Sequence, residues 1–132
     1  MLTHWIVVLD AAAAVDILLD NERGHGACTH LEDAQLFSVA PLDAEVICAL
    51  ARLHRDEQLT AEAVSVRLAI LADLDVARLP ITGALLSAAW ALRDNIPARE
   101  ALYVAAAQTL TGKLLTTDDR LSRAAGDIAI DL

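Results

Sequence analysis

The stretch Trp5-Ile6-Val7-Val8-Leu9-Asp10-Ala11-Ala12-Ala13-Ala14 predicts the strand-to-helix unit on which the rest of the fold is built. Its first half is a continuous apolar run, which indicates a strand buried on both faces of a parallel sheet. Asp10 ends that run, and the alanines that follow favour a helix. The run from Trp5 to Leu19 is too short to span a bilayer, and Asp10 or Asp16 would cost about 2.5–3.5 kcal/mol at its centre. We therefore predict a buried strand that turns directly into a buried helix, and no membrane partner.

The rest of the chain repeats this alternation of short apolar runs and helical segments. Predicted strands are His4–Leu9, Leu36–Val39, Val76–Leu79, Lys113–Thr116 and Ile128–Asp131. Predicted helices are Ala11–Leu19, Cys28–Ala34, Pro41 to about Arg55, Thr60 to about Ala72, Thr82 to about Asp94, Ala98–Leu110 and Asp119–Ala125, with a loop at Asn21–Gly26. Such alternation predicts an α/β fold with a mostly parallel sheet of about five strands and helices on both faces.

The length and composition of the chain predict a single domain with an aliphatic core. A chain of 132 residues can bury a single core, and we predict one domain over residues 1–132. Hydrophobic residues make up 56% of the chain and aromatic residues 3%, which excludes disorder and predicts an aliphatic core. So much apolar surface favours an oligomer or a stable partner. No basic segment precedes the apolar start, so we expect no signal peptide and a cytoplasmic protein.

The cysteines, the histidines and the net charge argue against several classes of function. Cys28 and Cys48 lack the Cys-x-x-Cys spacing, so we expect two buried, unpaired thiols in a reducing compartment. The histidines form no His-x-x-x-His pair, which argues against zinc. A net charge of −9 argues against nucleic-acid binding by charge alone. It does not exclude a metal-dependent nuclease, because cations would partly neutralise the acids of such a site.

Four acidic residues stand where a predicted strand ends or a predicted helix begins: Asp10, Glu45, Glu100 and Asp118. In an open α/β sheet these ends gather at one edge, where ligand sites form. Carboxylates gathered there would repel one another, and such clusters are typical of Mg²⁺ or Mn²⁺ sites. Paired metals on carboxylates commonly hydrolyse phosphodiesters.

Each of these acids also has a purely structural interpretation. Asp10 can cap the helix that follows it, and of Asp118 and Asp119 one can cap the last helix while the other faces a metal. Glu45 can complement the positive end of its helix dipole. Glu100 can form an ion pair with Arg99 or Arg93. The side chain three residues after Glu100, Tyr103, is expected to pack in the core.

The segments around the four acids resemble PIN-domain ribonucleases of the VapC toxin type. The matching segments are, in order, Val7–Ala13, Pro41–Val46, Arg99–Ala107 and Leu115–Leu121. The resemblance implies a Mg²⁺- or Mn²⁺-dependent endoribonuclease acting on tRNA or rRNA. It also implies a homodimer inhibited by a cognate antitoxin, in which the four acids are the catalytic metal ligands.

The resemblance extends to neighbouring residues. Its Thr-x-Asp pattern favours Asp118 as the metal-facing residue, with Thr116 and Asp119 supporting it. Nearby arginines can hold RNA phosphates, although solvated surface arginines are an equally simple interpretation; they are Arg99, Arg120 and Arg123.

Two positions depart from the family pattern. Glu100 stands where the family usually has Asp, and Ala12 stands where it often has a hydroxyl residue. These departures leave open a catalytically degenerate PIN-like domain that serves as a protein-interaction module. A receiver domain needs an acidic pair before the Asp of strand one, and a haloacid dehalogenase-type phosphatase needs Asp-x-Asp. Both fit badly, because this chain reads Asp10-Ala11-Ala12.

Overall fold

The computed structural model describes residues 5–132 and has a parallel sheet at its centre. Its strands are β1 (Trp5–Leu9), β2 (Ala34–Val39), β3 (Ala77–Leu79) and β4 (Lys113–Leu115). They lie in the order β3-β2-β1-β4. His4, the predicted first residue of β1, lies outside the described residues.

Helices connect these strands and make up most of the remaining structure. They are α1 (Ala11–Leu19), α2 (Glu22–Cys28), α3 (Leu42–Arg55), α4 (Ala61–Asp73), α5 (Gly83–Trp90), α6 (Ala98–Thr109) and α7 (Asp119–Ala125). Side-chain caps fix several starts, because Thr60 and Thr82 each accept a hydrogen bond from the amide three residues further on. Within residues 5–132, no helix has the length and apolar character needed to cross a membrane.

Strand β1 is covered on both faces. Val7, Val8 and Leu9 are all buried, although consecutive side chains of a strand point to opposite sides of the sheet. Helix α6 packs against β1, β2 and β4, while α1 packs against α2 and α3. The predicted α/β architecture, with a parallel sheet between helices, is confirmed.

The strand order creates a crevice beside β1. The chain runs outward from β1 through β2 to β3 and then returns to the other side of β1 as β4. Ligands bind at such a reversal, beyond the carboxyl ends of the two strands on either side of it. The amide of Asp10 donates to the carbonyl oxygen of Leu115 at 3.2 Å, which ties these two strand ends together.

The connection between α1 and β2 differs from the prediction. Both the loop predicted at Asn21–Gly26 and the helix predicted at Cys28–Ala34 are wrong, because α2 occupies Glu22–Cys28. The side chain of Asn21 caps α2 by accepting from the amide of Gly24 at 2.8 Å. A Cβ on Gly24 would lie 2.1 Å from the carbonyl oxygen of Asp16. Gly24 therefore lets α2 lie directly against α1 instead of breaking the helix.

The fifth strand predicted at Ile128–Asp131 is wrong. Within the described part of the chain, this segment contributes only a single parallel bridge, between Ala129 and Leu114. A 3₁₀ turn at Gly126–Ile128 takes up the residues before it, so the chain reaches the sheet too late to form a ladder. Among residues 5–132 the sheet therefore has four strands, not five.

Two smaller predictions also need correction. The helix after Thr82 ends at Trp90, not at about Asp94, because residues 91–95 form turns in which the amide of Leu92 donates to the carbonyl oxygen of Ala89 and that of Arg93 to the carbonyl oxygen of Trp90. The two cysteines are free, as expected, but both are exposed and not buried. Cys48 lies on the side of α3 opposite the residues that enter the core, Val46 and Leu50.

Candidate active site

Four carboxylates surround one small cavity beyond the ends of β1 and β4. The side chains of Asp10, Glu45, Glu100 and Asp118 all line this cavity, which has a volume of about 180 Å³. They come from the β1–α1 junction, the first turn of α3, the first turn of α6 and the β4–α7 junction. The structure thus brings together the four acids that the sequence singled out. We call this space the carboxylate cavity.

Asp10 both caps a helix and lines the cavity. Its Oδ1 accepts a hydrogen bond from the amide of Ala13 at 2.9 Å, and its exposed fraction is only 3%. Burial raises the pKa of Asp10 to about 7, and the charges of Asp118 and Glu100 add to this effect. Hydrogen bonds from the Thr116 side chain and the Ala13 amide act in the opposite direction.

Glu45 has one carboxylate oxygen bound and one free. The hydroxyl of Tyr103 donates to Oε2 at 2.8 Å. Oε1 is buried and has no hydrogen-bond partner among residues 5–132. The closest cationic group is Arg99, whose Nε lies 3.9 Å from Oε1, but this arginine side chain is 76% exposed. Solvent therefore screens their attraction.

Tyr103 is a residue of the cavity wall for which the sequence predicts core packing alone. It is buried, as expected, but its hydroxyl reaches Glu45 and the residue lines the carboxylate cavity. Burial raises the pKa of Tyr103, and the hydrogen bond to Glu45 raises it further, so the phenol remains a donor. Its position three residues after Glu100 was the available signal, since residues at that spacing share a helix face.

At the β4–α7 junction, the side chains of Asp118 and Asp119 have different surroundings. Oδ1 of Asp118 accepts hydrogen bonds from the amides of Arg120 at 2.9 Å and Leu121 at 3.3 Å, which caps α7. The amide of Asp118 donates to Oγ1 of the buried Thr116 at 3.0 Å. Asp119 lies outside the cavity, and its carboxylate is 3.0 Å from the guanidinium of Arg23. Asp118 thus combines the cap with a place in the cavity wall.

The arginines that were candidates for phosphate binding occupy different positions. Arg99 lines the carboxylate cavity, whereas Arg120 and Arg123 are exposed on α7 and do not line it. The ion pair considered for Glu100 is not formed within the described residues. Arg99 approaches Glu45 instead, and the guanidinium of Arg93 lies 5.1 Å from the ring centre of Trp90.

The donor set fits a hard divalent cation. As the side chains stand, no three Asp, Glu, His or Cys groups within residues 5–132 lie close enough together to hold one ion. All four carboxylates nevertheless line the same cavity, so rotations of these side chains within it can bring them onto one ion. Unscreened carboxylates repel one another. The unpaired Oε1 of Glu45 is a buried oxygen whose hydrogen-bonding capacity a cation would satisfy.

Comparison with known proteins gives a family and a set of relatives. A family model for the PIN domain matches residues 7–127. Over 119 residues the chain is 40% identical to Ribonuclease VapC3 of Mycobacterium tuberculosis, an alignment that covers 89% of this chain and 86% of VapC3.

Two solved structures share the fold. The structure of PAE2754 from Pyrobaculum aerophilum matches with a TM-score of 0.71 at 20% identity, covering 99% of this chain and 92% of that one. VapC20 of Mycobacterium tuberculosis, described as a sarcin-ricin loop cleaving toxin, matches with a TM-score of 0.68 at 17% identity, covering 96% and 99%. At such identities the likeness shows the fold alone.

Proposed function

This chain belongs to the PIN-domain family and, within it, to the VapC ribonucleases, and we propose that it is an endoribonuclease that requires Mg²⁺ or Mn²⁺. One observation carries the proposal: four carboxylates line a single cavity at the reversal point of a parallel sheet. Hard cations take oxygen ligands, and a cation would offset the repulsion between these groups. The predicted ligands are Asp10, Glu45, Glu100 and Asp118.

The bound cation and the residues of the cavity would have separate roles in phosphodiester hydrolysis. When bound, a divalent cation makes water a better nucleophile and offsets negative charge on the phosphate and leaving oxygens. Asp10 and Asp118 would hold it from the caps of α1 and α7. Glu45 and Glu100 would hold it from the first turns of α3 and α6. Hydrolysis adds one water across one P–O bond of the RNA.

Arg99 is placed to guide the RNA backbone. It lines the carboxylate cavity and two adjoining grooves, one of which also contains Arg52 and the other Arg93. A guanidinium beside the cavity can hold a substrate phosphate through paired hydrogen bonds. The net charge of −9 makes such local cations the main electrostatic attraction for RNA. We propose tRNA or rRNA as the substrate class.

Protein partners form part of the same proposal. Membership of the VapC ribonucleases supports the proposal that a cognate antitoxin controls this chain in the cytoplasm. An apolar groove of about 410 Å³ adjoins the cavity, and two residues that line it, Trp90 and Leu86, are exposed by 65% and 54%. Large exposed apolar patches mark protein interfaces. The apolar surface therefore supports an antitoxin and a homodimer.

The departures at positions 12 and 100 favour a second candidate, a degenerate domain that only binds a partner. Ala12 and Glu100 both line the carboxylate cavity, so any change they cause acts at the site itself. Incubation of the antitoxin-free protein with total cellular RNA separates the two candidates. We expect discrete cleavage products with Mg²⁺ and none with EDTA. Intact RNA with folded protein in Mg²⁺ would favour the degenerate domain, and cleavage that persists in EDTA would contradict the metal requirement.

A further inference from the structure

We infer that Tyr103 is a positioning residue, which fixes one oxygen of Glu45 so that the other is offered to the carboxylate cavity. The inference rests on the proposed function, because it treats Glu45 as a cation ligand. It adds a role that neither the four-acid pattern nor the family match assigns. Tyr103 does not hold the cation in this scheme, and acts only through Glu45.

The surroundings of Tyr103 hold its side chain in place. Its exposed fraction is 2%, and it lies on α6 beside other buried residues, among them Val104 and Ala106. Helix α6 packs against three strands of the sheet. A tyrosine held in this way presents its hydroxyl at a fixed point. The hydrogen bond of 2.8 Å to Oε2 therefore fixes Glu45, which otherwise has three rotatable side-chain bonds.

The two carboxylate oxygens of Glu45 differ in their hydrogen-bond partners. Oε2 is tied to Tyr103, while Oε1 is buried without a hydrogen-bond partner in the described part of the chain. Arg99 stands 3.9 Å from Oε1 on a largely exposed side chain, so it can leave without breaking a buried contact. Glu45 is thus set to bind through one oxygen. Partners of a ligand side chain orient it and tune affinity in this way.

A purely structural role makes a different prediction. The Tyr103–Glu45 bond also joins α6 to α3, and a tether of this kind would stabilise the fold without affecting the cavity. Phenylalanine preserves the ring and its packing while removing the hydroxyl. Tyr103→Phe therefore tests the bond itself. Thr60→Ala is a suitable control, because it removes the cap of α4, where Thr60 accepts from the amide of Ala63 at 3.0 Å, away from the cavity.

The main measurement is the affinity for Mn²⁺ alone, by calorimetric titration. We expect Tyr103→Phe to bind Mn²⁺ about tenfold more weakly than the wild type, the usual size of such an effect. Thr60→Ala should lower the melting temperature and leave the affinity for Mn²⁺ unchanged. In a Glu45→Gln background, adding Tyr103→Phe should change the affinity little, because both changes act through the same ligand.

Several outcomes would overturn the inference. They are an unchanged affinity for Mn²⁺ in Tyr103→Phe, or an equal loss in the wild-type and Glu45→Gln backgrounds. A wild-type protein that binds no Mn²⁺ and cleaves no RNA would instead overturn the proposed function, and the inference with it. A wild type that binds Mn²⁺ beside an unaffected variant overturns the inference alone.

The wild-type protein offers a second test that does not depend on a folded Tyr103→Phe variant. Tyr103 is the single tyrosine of the chain, so the tyrosine part of an ultraviolet difference spectrum reports on this residue. We expect Mg²⁺ to change the tyrosine absorption of the wild type and to leave that of Glu45→Gln nearly unchanged. A Mg²⁺-saturated wild type with no tyrosine difference would contradict the inference.

Discussion

Asp118 and Asp119 are neighbours in the chain but belong to different parts of the structure. The carboxylate of Asp118 lines the carboxylate cavity and accepts from the amide of Arg120 at 2.9 Å. The carboxylate of Asp119 is 74% exposed and pairs with Arg23 at 3.0 Å, outside the cavity. Arg23 also donates to the carbonyl oxygen of Thr117. Asp118 thus lies at the proposed cation site, whereas Asp119 attaches the β4–α7 junction to α2.

This division predicts different effects of the same substitution at the two positions. Asp118→Asn should lose most of its RNA cleavage and little stability, because asparagine caps a helix as well as aspartate does. Asp119→Asn should keep its activity within a few-fold, since an exposed ion pair is worth about 0.2–1 kcal/mol. Cleavage rates and melting curves of both variants check this. A larger loss of cleavage in Asp119→Asn would show that Asp119, and not Asp118, is the metal-facing residue.

The pKa of Asp10 predicts how the stability of the metal-free protein depends on pH. Its pKa of about 7 in the folded state lies above the ordinary 3.8, so the folded protein binds the proton more tightly. The free energy of unfolding should therefore fall as pH rises from about 4 to 7. A difference of one in pKa between the folded and unfolded states corresponds to about 1.36 kcal/mol, so the total loss is a few kcal/mol.

Asp10→Asn should lack this dependence, because asparagine cannot ionise. Denaturant unfolding in EDTA between pH 4 and 8 gives the comparison, and Asp119→Asn serves as a control for loss of an acid outside the cavity. We expect Asp10→Asn to gain stability relative to the wild type as pH rises. A difference that stays constant over this range would mean that Asp10 is not destabilised by burial.

Glu100→Asp should retain or increase RNA cleavage. The shorter side chain restores the residue usual in the family at a position that already lines the cavity. Cleavage rates at saturating Mg²⁺ provide the measurement, with melting curves to confirm folding. Complete loss of cleavage in folded protein would show that this site is built around the longer carboxylate of Glu100.

Arg99→Gln should weaken RNA binding more than metal binding. Arg99 lines the cavity and approaches the free oxygen of Glu45, so its removal takes away a phosphate partner and a weak competitor of the cation. We expect a higher KM for RNA and an unchanged or slightly stronger affinity for Mn²⁺. Arg123→Gln, on the exposed face of α7, is the matched control and should change KM less. Equal changes in KM would indicate that RNA binding is spread over the surface.

The sequence predicts the position of the site better than its internal contacts. Asp10 follows a continuous apolar run, which marks it as the end of a strand. Because the carboxyl ends of parallel strands share one edge of the sheet, acidic residues at those ends can be predicted to lie close together. The bond between Tyr103 and Glu45 joins residues 58 positions apart, and no local pattern encodes it. The role of Gly24 is also tertiary, because it depends on the close approach of Asp16 in α1. The same close approach explains why the sequence predicts a loop where α2 forms.

Melting curves recorded during a metal titration test whether the carboxylate cavity binds a catalytic divalent cation. At ten times its Kd, one bound cation should stabilise the wild type by roughly 1.4 kcal/mol, which raises the melting temperature by about 3–8 °C. Mn²⁺ should act at lower concentrations than Mg²⁺. At constant ionic strength, Asp10→Asn should melt higher than the wild type without metal and should lose most of the response. An identical metal response in the two proteins would show that Asp10 caps α1 without binding a metal.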